Sequence, residues 1–195
     1  MQFIYSNPKA LAPEFCNEVI DLFEQSPLKQ RGQFRLKDEI VEKPDVKKST
    51  DITFTPQFLQ DPQWGPYLQH LVTVVEENMT NYTFRFQQAF SKMDDFRLDH
   101  AFNIQRYEPG EGFYGWHCER AGLLNSSRVL VWMVYLNDIT DGGQTQFFHQ
   151  GHLEKPSQGK LLIWPSDWTH THRGVPSPTE TKYILTGWFT HYKND

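Results

Sequence analysis

Apolar residues recur at helical spacing from Leu11 through Phe15, Val19, Leu22 and Phe23. With Pro13 in a first turn, where its missing N–H costs no hydrogen bond, this predicts a helix from Ala12-Pro13 to about Ser26. A second stripe, Trp64, Leu68, Leu71, Val72, Val75 and Met79, follows Asp61-Pro62. A capping side chain followed by proline predicts a second helix starting there, and both stripes read as core faces packed on a sheet. The stretch 28–48 between them mixes lysine, arginine, aspartate and glutamate without a clear period, which predicts short strands and exposed loop on a solvated face. Residues 51–55 alternate and predict a strand end.

After Phe84 the period shortens to two. Residues 101–107 run into the turn Glu108-Pro109-Gly110-Glu111-Gly112, and residues 144–148, 160–165 and 181–189 read as further strands bounded by glycine and proline. Residues 128–136 are apolar at nearly every position, as expected of a strand covered on both faces. Two helices followed by short strands predict an α+β fold in which the helices flank a sandwich or barrel. The expected organisation is one domain over 1–195, with a helical and mixed part to about 98 and a strand-rich part over about 99–192.

Composition narrows the function classes. A chain of 195 residues with 38% hydrophobic and 15% aromatic side chains can fill a sizeable core. A net charge of −5 gives no basic footprint for a nucleic-acid backbone. The two cysteines, Cys16 and Cys118, do not make a disulfide framework. The N-terminal residues lack a basic segment followed by an apolar run, and no stretch approaches the ~20 apolar residues of a membrane span, so a cytoplasmic protein is expected. The sequons at Asn78, Asn81 and Asn125 carry no weight without a secretion signal.

The candidate chemistry lies in Gly112-Phe113-Tyr114-Gly115-Trp116-His117-Cys118-Glu119. If this stretch is an extended strand, His117 and Glu119 share a face. One imidazole and one carboxylate suit divalent iron better than structural zinc, and a further histidine would complete the facial triad that leaves coordination positions open. Trp168-Thr169-His170-Thr171-His172 offers two candidates, His170 and His172.

The ordered motifs around these residues resemble the prolyl 4-hydroxylase-like branch of the iron(II)/2-oxoglutarate-dependent dioxygenases, over most of the chain from Leu11 to Trp188. Gln105-Arg106-Tyr107 with Pro109-Gly110 resembles the family's strand and glycine turn, and His117-Cys118-Glu119 stands in the place of its His-x-Asp. Arg128, Tyr135-Leu136-Asn137 and Gly142-Gly143-Gln144-Thr145-Gln146-Phe147 follow, then Pro156, Gly159 and the apolar 160–164. His172, with Pro176, Lys182 and Gly187-Trp188 beyond it, is similar to the distal histidine, the cosubstrate lysine and the closing tryptophan. The one departure at a ligand is Glu119, a methylene longer than aspartate.

The resemblance implies a double-stranded β-helix (jelly roll) and a metal set of His117, Glu119 and His172, with His170 left as a rim or substrate-side residue. It implies iron(II), 2-oxoglutarate and dioxygen, with ascorbate as a further candidate. The implied reaction is hydroxylation of a C–H bond with release of succinate and CO2, on a prolyl residue of a peptide or protein. The alternatives are a free amino acid or small metabolite as substrate, or a jelly-roll binding protein without activity. Relatives that demethylate nucleic acids resemble one another in using arginines after the distal histidine, where this chain has Lys182.

Lys182 shares strand parity with Ile184, Thr186 and Trp188, so it should point inward and meet an anion, which the far carboxylate of 2-oxoglutarate would supply. Tyr135 shares the inward face with Val131 and Met133, and its hydroxyl would be a second donor. Tyr107 and Arg128 are further candidates for the cosubstrate.

Overall fold

The structure, a computed structural model, describes residues 2–36 and 39–192. In chain order its elements are β1 (Tyr5–Asn7), α1 (Pro13–Gln25), β2 (Gln30–Arg31), β3 (Phe34–Leu36), β4 (Glu39–Val41), β5 (Thr50–Phe54), α2 (Gly65–Arg85), α3 (Gln87–Phe90), β6 (Phe96–Leu98), β7 (Phe102–Tyr107), β8 (Arg128–Tyr135), β9 (Thr145–Phe147), β10 (His152–Glu154), β11 (Leu161–Pro165), β12 (His172–Gly174) and β13 (Lys182–His191). Among the described residues no helix is long and apolar enough to cross a membrane.

A large antiparallel sheet runs β1-β11-β8-β13-β7-β5-β2, with β6 also on β13, and a small one runs β10-β9-β12. β8 pairs with β11 on one side and β13 on the other, which puts its apolar run at the centre. Its side chains divide by parity. Leu130, Trp132 and Val134 pack with Val19 and Phe23 of α1 and Leu68, Leu71 and Val75 of α2. Val131, Met133 and Tyr135 pack on the opposite face with Leu162, Trp164, Ile184 and Phe147 of the small sheet. Each large apolar side chain buried this way contributes ~1.5–3 kcal/mol, so both helices are held by the sheet rather than by their own propensity. Two antiparallel sheets facing one another across such a core form a jelly roll.

Two expectations shift at the helices. α2 begins at Gly65, four residues after Asp61, because the Asp61 carboxylate accepts from the backbone N–H groups of Gln63 and Trp64 at 2.9 and 2.8 Å and closes a turn first. The buried face of α2 also takes in Val74, Asn78 and Tyr82. Asn78, read above as a sequon position, accepts from Tyr5 and Asn7 and so ties β1 to α2. The charged stretch 28–48 does contain short strands, but its end is not a solvated face. Lys47 and Asp51 are 3% and 4% exposed and lie 2.6 Å apart as a buried ion pair.

Candidate active site

A cavity of about 530 Å³ lies against the inner face of the large sheet, lined by His117, Glu119, His172, Lys182, Tyr107 and Arg128 among others. That volume is in the range of small-molecule sites.

The stretch carrying His117 and Glu119 is not a regular strand. Glycines at 112 and 115 let it hand its hydrogen bonds to three neighbours in turn. Tyr114 and Gly115 N–H groups go to Val46 O, His117 and His172 exchange a reciprocal pair at 3.0 and 2.9 Å, and Glu119 and Arg120 N–H groups go to Ser166 O. The reciprocal pair sets the two histidines directly opposite one another, with ring centroids 4.4 Å apart.

Each imidazole is oriented by a backbone carbonyl. His117 Nδ1 lies 2.8 Å from Gly115 O and His172 Nδ1 lies 2.9 Å from His170 O. A carbonyl only accepts, so both Nδ1 atoms carry the proton and both Nε2 lone pairs are free for a metal. The Glu119 Oε1 atom lies 3.4 Å from His117 Nε2 and 3.7 Å from His172 Nε2. The three ligand atoms lie within 4.8 Å of one another. Burial disfavours the charged form of His172, and the nearby His117 adds to this, lowering its pKa to about 3. Burial alone would raise that of Glu119, but His117, His172 and Arg128 together hold it down to about 2. The site brings together two imidazole Nε2 atoms and one carboxylate oxygen, the donor set of a two-histidine, one-carboxylate iron centre. The residues present fit the metal.

Lys182, the first residue of β13, is 4% exposed, and its Nζ donates to Gly143 O at 3.0 Å. That carbonyl is presented by Gly142-Gly143, where φ is +79° and +75°, a left-handed turn open to glycine at little cost. Burial lowers the Lys182 pKa from 10.5 to about 8. The Tyr107 ring lies 5.0 Å from the ammonium, and its hydroxyl donates to Gln105 Oε1 at 2.7 Å. Tyr135 faces inward and is fully buried, but its hydroxyl bonds Thr145 Oγ1 at 2.6 Å and Glu154 O at 3.3 Å instead of lining the cavity. Thr145, named in the sequence only as part of the Gly-Gly motif, does line it, and its alternation with Phe147 in β9 aims it inward.

Arg128 is at the other end, donating to Glu119 Oε2 at 3.0 Å. His170 is on neither rim nor substrate side of this cavity. Residues Trp168–His170 form a 3-10 turn, so His170 and His172 do not share a face as they would in an extended chain. His170 is buried against a second, smaller cavity, with its Nε2 2.8 Å from Gln2 O.

Residues 102–190 match the family profile described as 2OG-Fe(II) oxygenase superfamily. A PKHD-type hydroxylase of Synechococcus sp. (strain CC9902) is 30% identical over 100 residues, which is 49% of this chain and 44% of that relative, so the chain matches less than half the length of the curated protein. Among solved structures, the viral collagen prolyl hydroxylase of Paramecium bursaria Chlorella virus-1, in its 2OG complex, superposes with a TM-score of 0.71 at 17% identity, covering 98% of this chain and 97% of that one. A prolyl hydroxylase of Trichoplax adhaerens, in complex with a hypoxia inducible factor oxygen degradation domain peptide, gives 0.74 at 16% identity over 97% and 84%. Residues 102–190 are thus similar to the 2OG-Fe(II) oxygenase superfamily, and the fold of the chain is similar to that of the two solved prolyl hydroxylases.

Proposed function

We propose that this protein is an iron(II)- and 2-oxoglutarate-dependent dioxygenase that hydroxylates a C–H bond of a peptide or protein, a prolyl residue being the first candidate. The observation that carries the reading is the presence, on one cavity, of a convergent His117, Glu119 and His172 set and a buried Lys182 ammonium. The metal, when bound, supplies oxidative decarboxylation of 2-oxoglutarate to succinate and CO2 and transfer of one oxygen atom to substrate.

The protein's own part is placement. His117 and His172 are held in one tautomer by Gly115 O and His170 O, so no imidazole has to turn before the metal arrives. Lys182 takes the far carboxylate of 2-oxoglutarate, a charge-assisted bond that offsets the cost of burying the ammonium. Thr145 lines the same cavity and its Oγ1 is held by the Tyr135 hydroxyl, so Tyr135 acts on the cosubstrate through Thr145. Tyr107 gives its ring face to the Lys182 ammonium.

The substrate enters past an aromatic wall. The Phe113 ring stacks on His117 at 3.7 Å and meets Phe34 at 5.6 Å, while Trp116 lies under the Arg173 guanidinium at 4.5 Å. Apolar and aromatic walls of this kind favour a ring such as that of proline over a charged side chain. The Trichoplax adhaerens enzyme, whose fold this chain shares, was solved with a peptide, which supports a peptide substrate here. Ascorbate is a candidate reductant for restoring iron(II).

The test is succinate formation from 2-oxoglutarate by the iron-loaded protein, with proline-containing peptides and free amino acids as substrates and mass spectrometry for a gain of one oxygen. Peptide-dependent succinate with an oxygenated proline supports the reading. Turnover stimulated only by a free amino acid moves the substrate to a small metabolite, and no succinate under any condition overturns the activity.

A further inference from the structure

Glu119 is bound through both of its oxygens, but to different kinds of partner. Oε1 faces the two histidine Nε2 atoms. Oε2 accepts two hydrogen bonds, from Arg128 Nη1 at 3.0 Å and from the Trp188 indole Nε1 at 3.0 Å. A carboxylate oxygen has two lone-pair directions, so both at Oε2 are engaged. The two donors also brace one another, because the Arg128 guanidinium lies 3.5 Å from the Trp188 ring centroid. Arg128 donates in addition to the Glu119 backbone carbonyl at 3.3 Å.

This clamp is built by an irregularity in the sheet. β8 and β13 pair Trp188 with Val131 and Phe189 with Leu130, then slip so that Thr190 faces Arg128. Val129 is the extra residue. In a regular strand Arg128 would share parity with Leu130 and Trp132 and face the helices. The bulge turns it instead into the cavity that Trp188 also lines.

We propose that Arg128 and Trp188 are positioning residues that restrict Glu119 to one-oxygen coordination, an inference that rests on the iron-site reading above. A glutamate arm is longer and more mobile than an aspartate arm, and with its second oxygen free it can swing both onto a cation. That would use a fourth coordination position and leave too few for a two-atom cosubstrate and dioxygen. With Oε2 held by two N–H donors, chelation requires breaking a bond to a charged donor, so the metal keeps Glu119 as a single ligand.

The experiment uses the full chain loaded with Mn(II), whose bound waters are counted by water-proton relaxation, together with Mn(II) and 2-oxoglutarate affinities. Trp188→Phe keeps a ring under Arg128 and removes the N–H, and Arg128→Met removes the second donor. Circular dichroism checks the fold of each, and either variant alone suffices if the other does not fold. The expected result is one fewer bound water than in wild type and 2-oxoglutarate affinity of the Mn(II) form down by ~10–100-fold. Adding Glu119→Gln to Trp188→Phe, which leaves only one ligating oxygen, should restore the wild-type water count. A merely structural role would weaken metal binding without changing that count. Normal Mn(II) binding with an unchanged count in the folded variants overturns the clamp alone. A wild-type protein that binds no Mn(II) overturns the iron-site reading, and the clamp with it.

Discussion

The two ends of the cavity are prepared in different ways. At the metal end the supporting bonds are already made. Both Nδ1 atoms have their carbonyls, Oε2 has two donors, and Nε2, Nε2 and Oε1 face one another. At the anion end the ammonium of Lys182 has one hydrogen-bond acceptor among the described residues, Gly143 O, in surroundings that hold its pKa near 8. A cation held this way is stabilised strongly by an arriving carboxylate. The difference teaches a division of labour. On the function proposed above, the metal end selects by geometry, whereas the anion end selects by charge.

The largest effects should come from breaking the metal end. His117→Ala and His172→Ala should each abolish tight iron(II) binding, measured by anaerobic titration, while His170→Ala leaves it intact because His170 bonds Gln2 on another face. Loss of iron from His170→Ala alone would contradict the ligand assignment. Next is the anion end, where Lys182→Ala should raise the KM for 2-oxoglutarate by ~10–150-fold, the loss of a hydrogen bond to a charged group of about 1.5–3 kcal/mol, with iron affinity nearly unchanged. Lys182→Arg should recover part of that, since a guanidinium binds carboxylate but needs more room.

The pH dependence separates the two ends further. Lys182 is charged below about pH 8 and loses its proton above it, so the KM for 2-oxoglutarate should rise from there. The same shift has a stability counterpart of known sign. Between about pH 8 and the ordinary lysine value of 10.5 the unfolded chain holds more protons than the folded one, so this lysine makes ligand-free stability rise with pH across that window. Thermal melts of wild type and Lys182→Met across that range should diverge, and parallel curves would contradict the shift. The smallest effect belongs to Tyr135→Phe. It should raise the KM for 2-oxoglutarate by ~10-fold or less and add nothing to Thr145→Val, because its hydroxyl reaches the cavity through Thr145.

Much of this was legible in the residue pattern. Both helices follow their stripes, and β8 is apolar throughout because it is covered on both faces. Lys182 faces the cavity with Ile184 and Trp188 as strand parity requires. What escaped depends on departures from periodicity. A bulge at Val129 turns Arg128 inward, and a 3-10 turn at Trp168–His170 sends His170 away from His172; neither has a signature in residue type. The hydroxyl of Tyr135 was assigned a partner by direction alone, whereas Thr145 Oγ1 lies between it and the cavity. Lys47 fell in the stretch expected to be a solvated face because sequence spacing does not reveal that Asp51 is its partner in the interior.

The central claim is that one ligand, 2-oxoglutarate, bridges the two ends, and calorimetric titration under anaerobic conditions tests it most directly. 2-Oxoglutarate should bind the iron(II)-loaded wild type at one per chain, and weakly both to the metal-free protein and to iron(II)-loaded Lys182→Ala. Equal binding with and without metal, or equal binding to wild type and Lys182→Ala, would contradict the account.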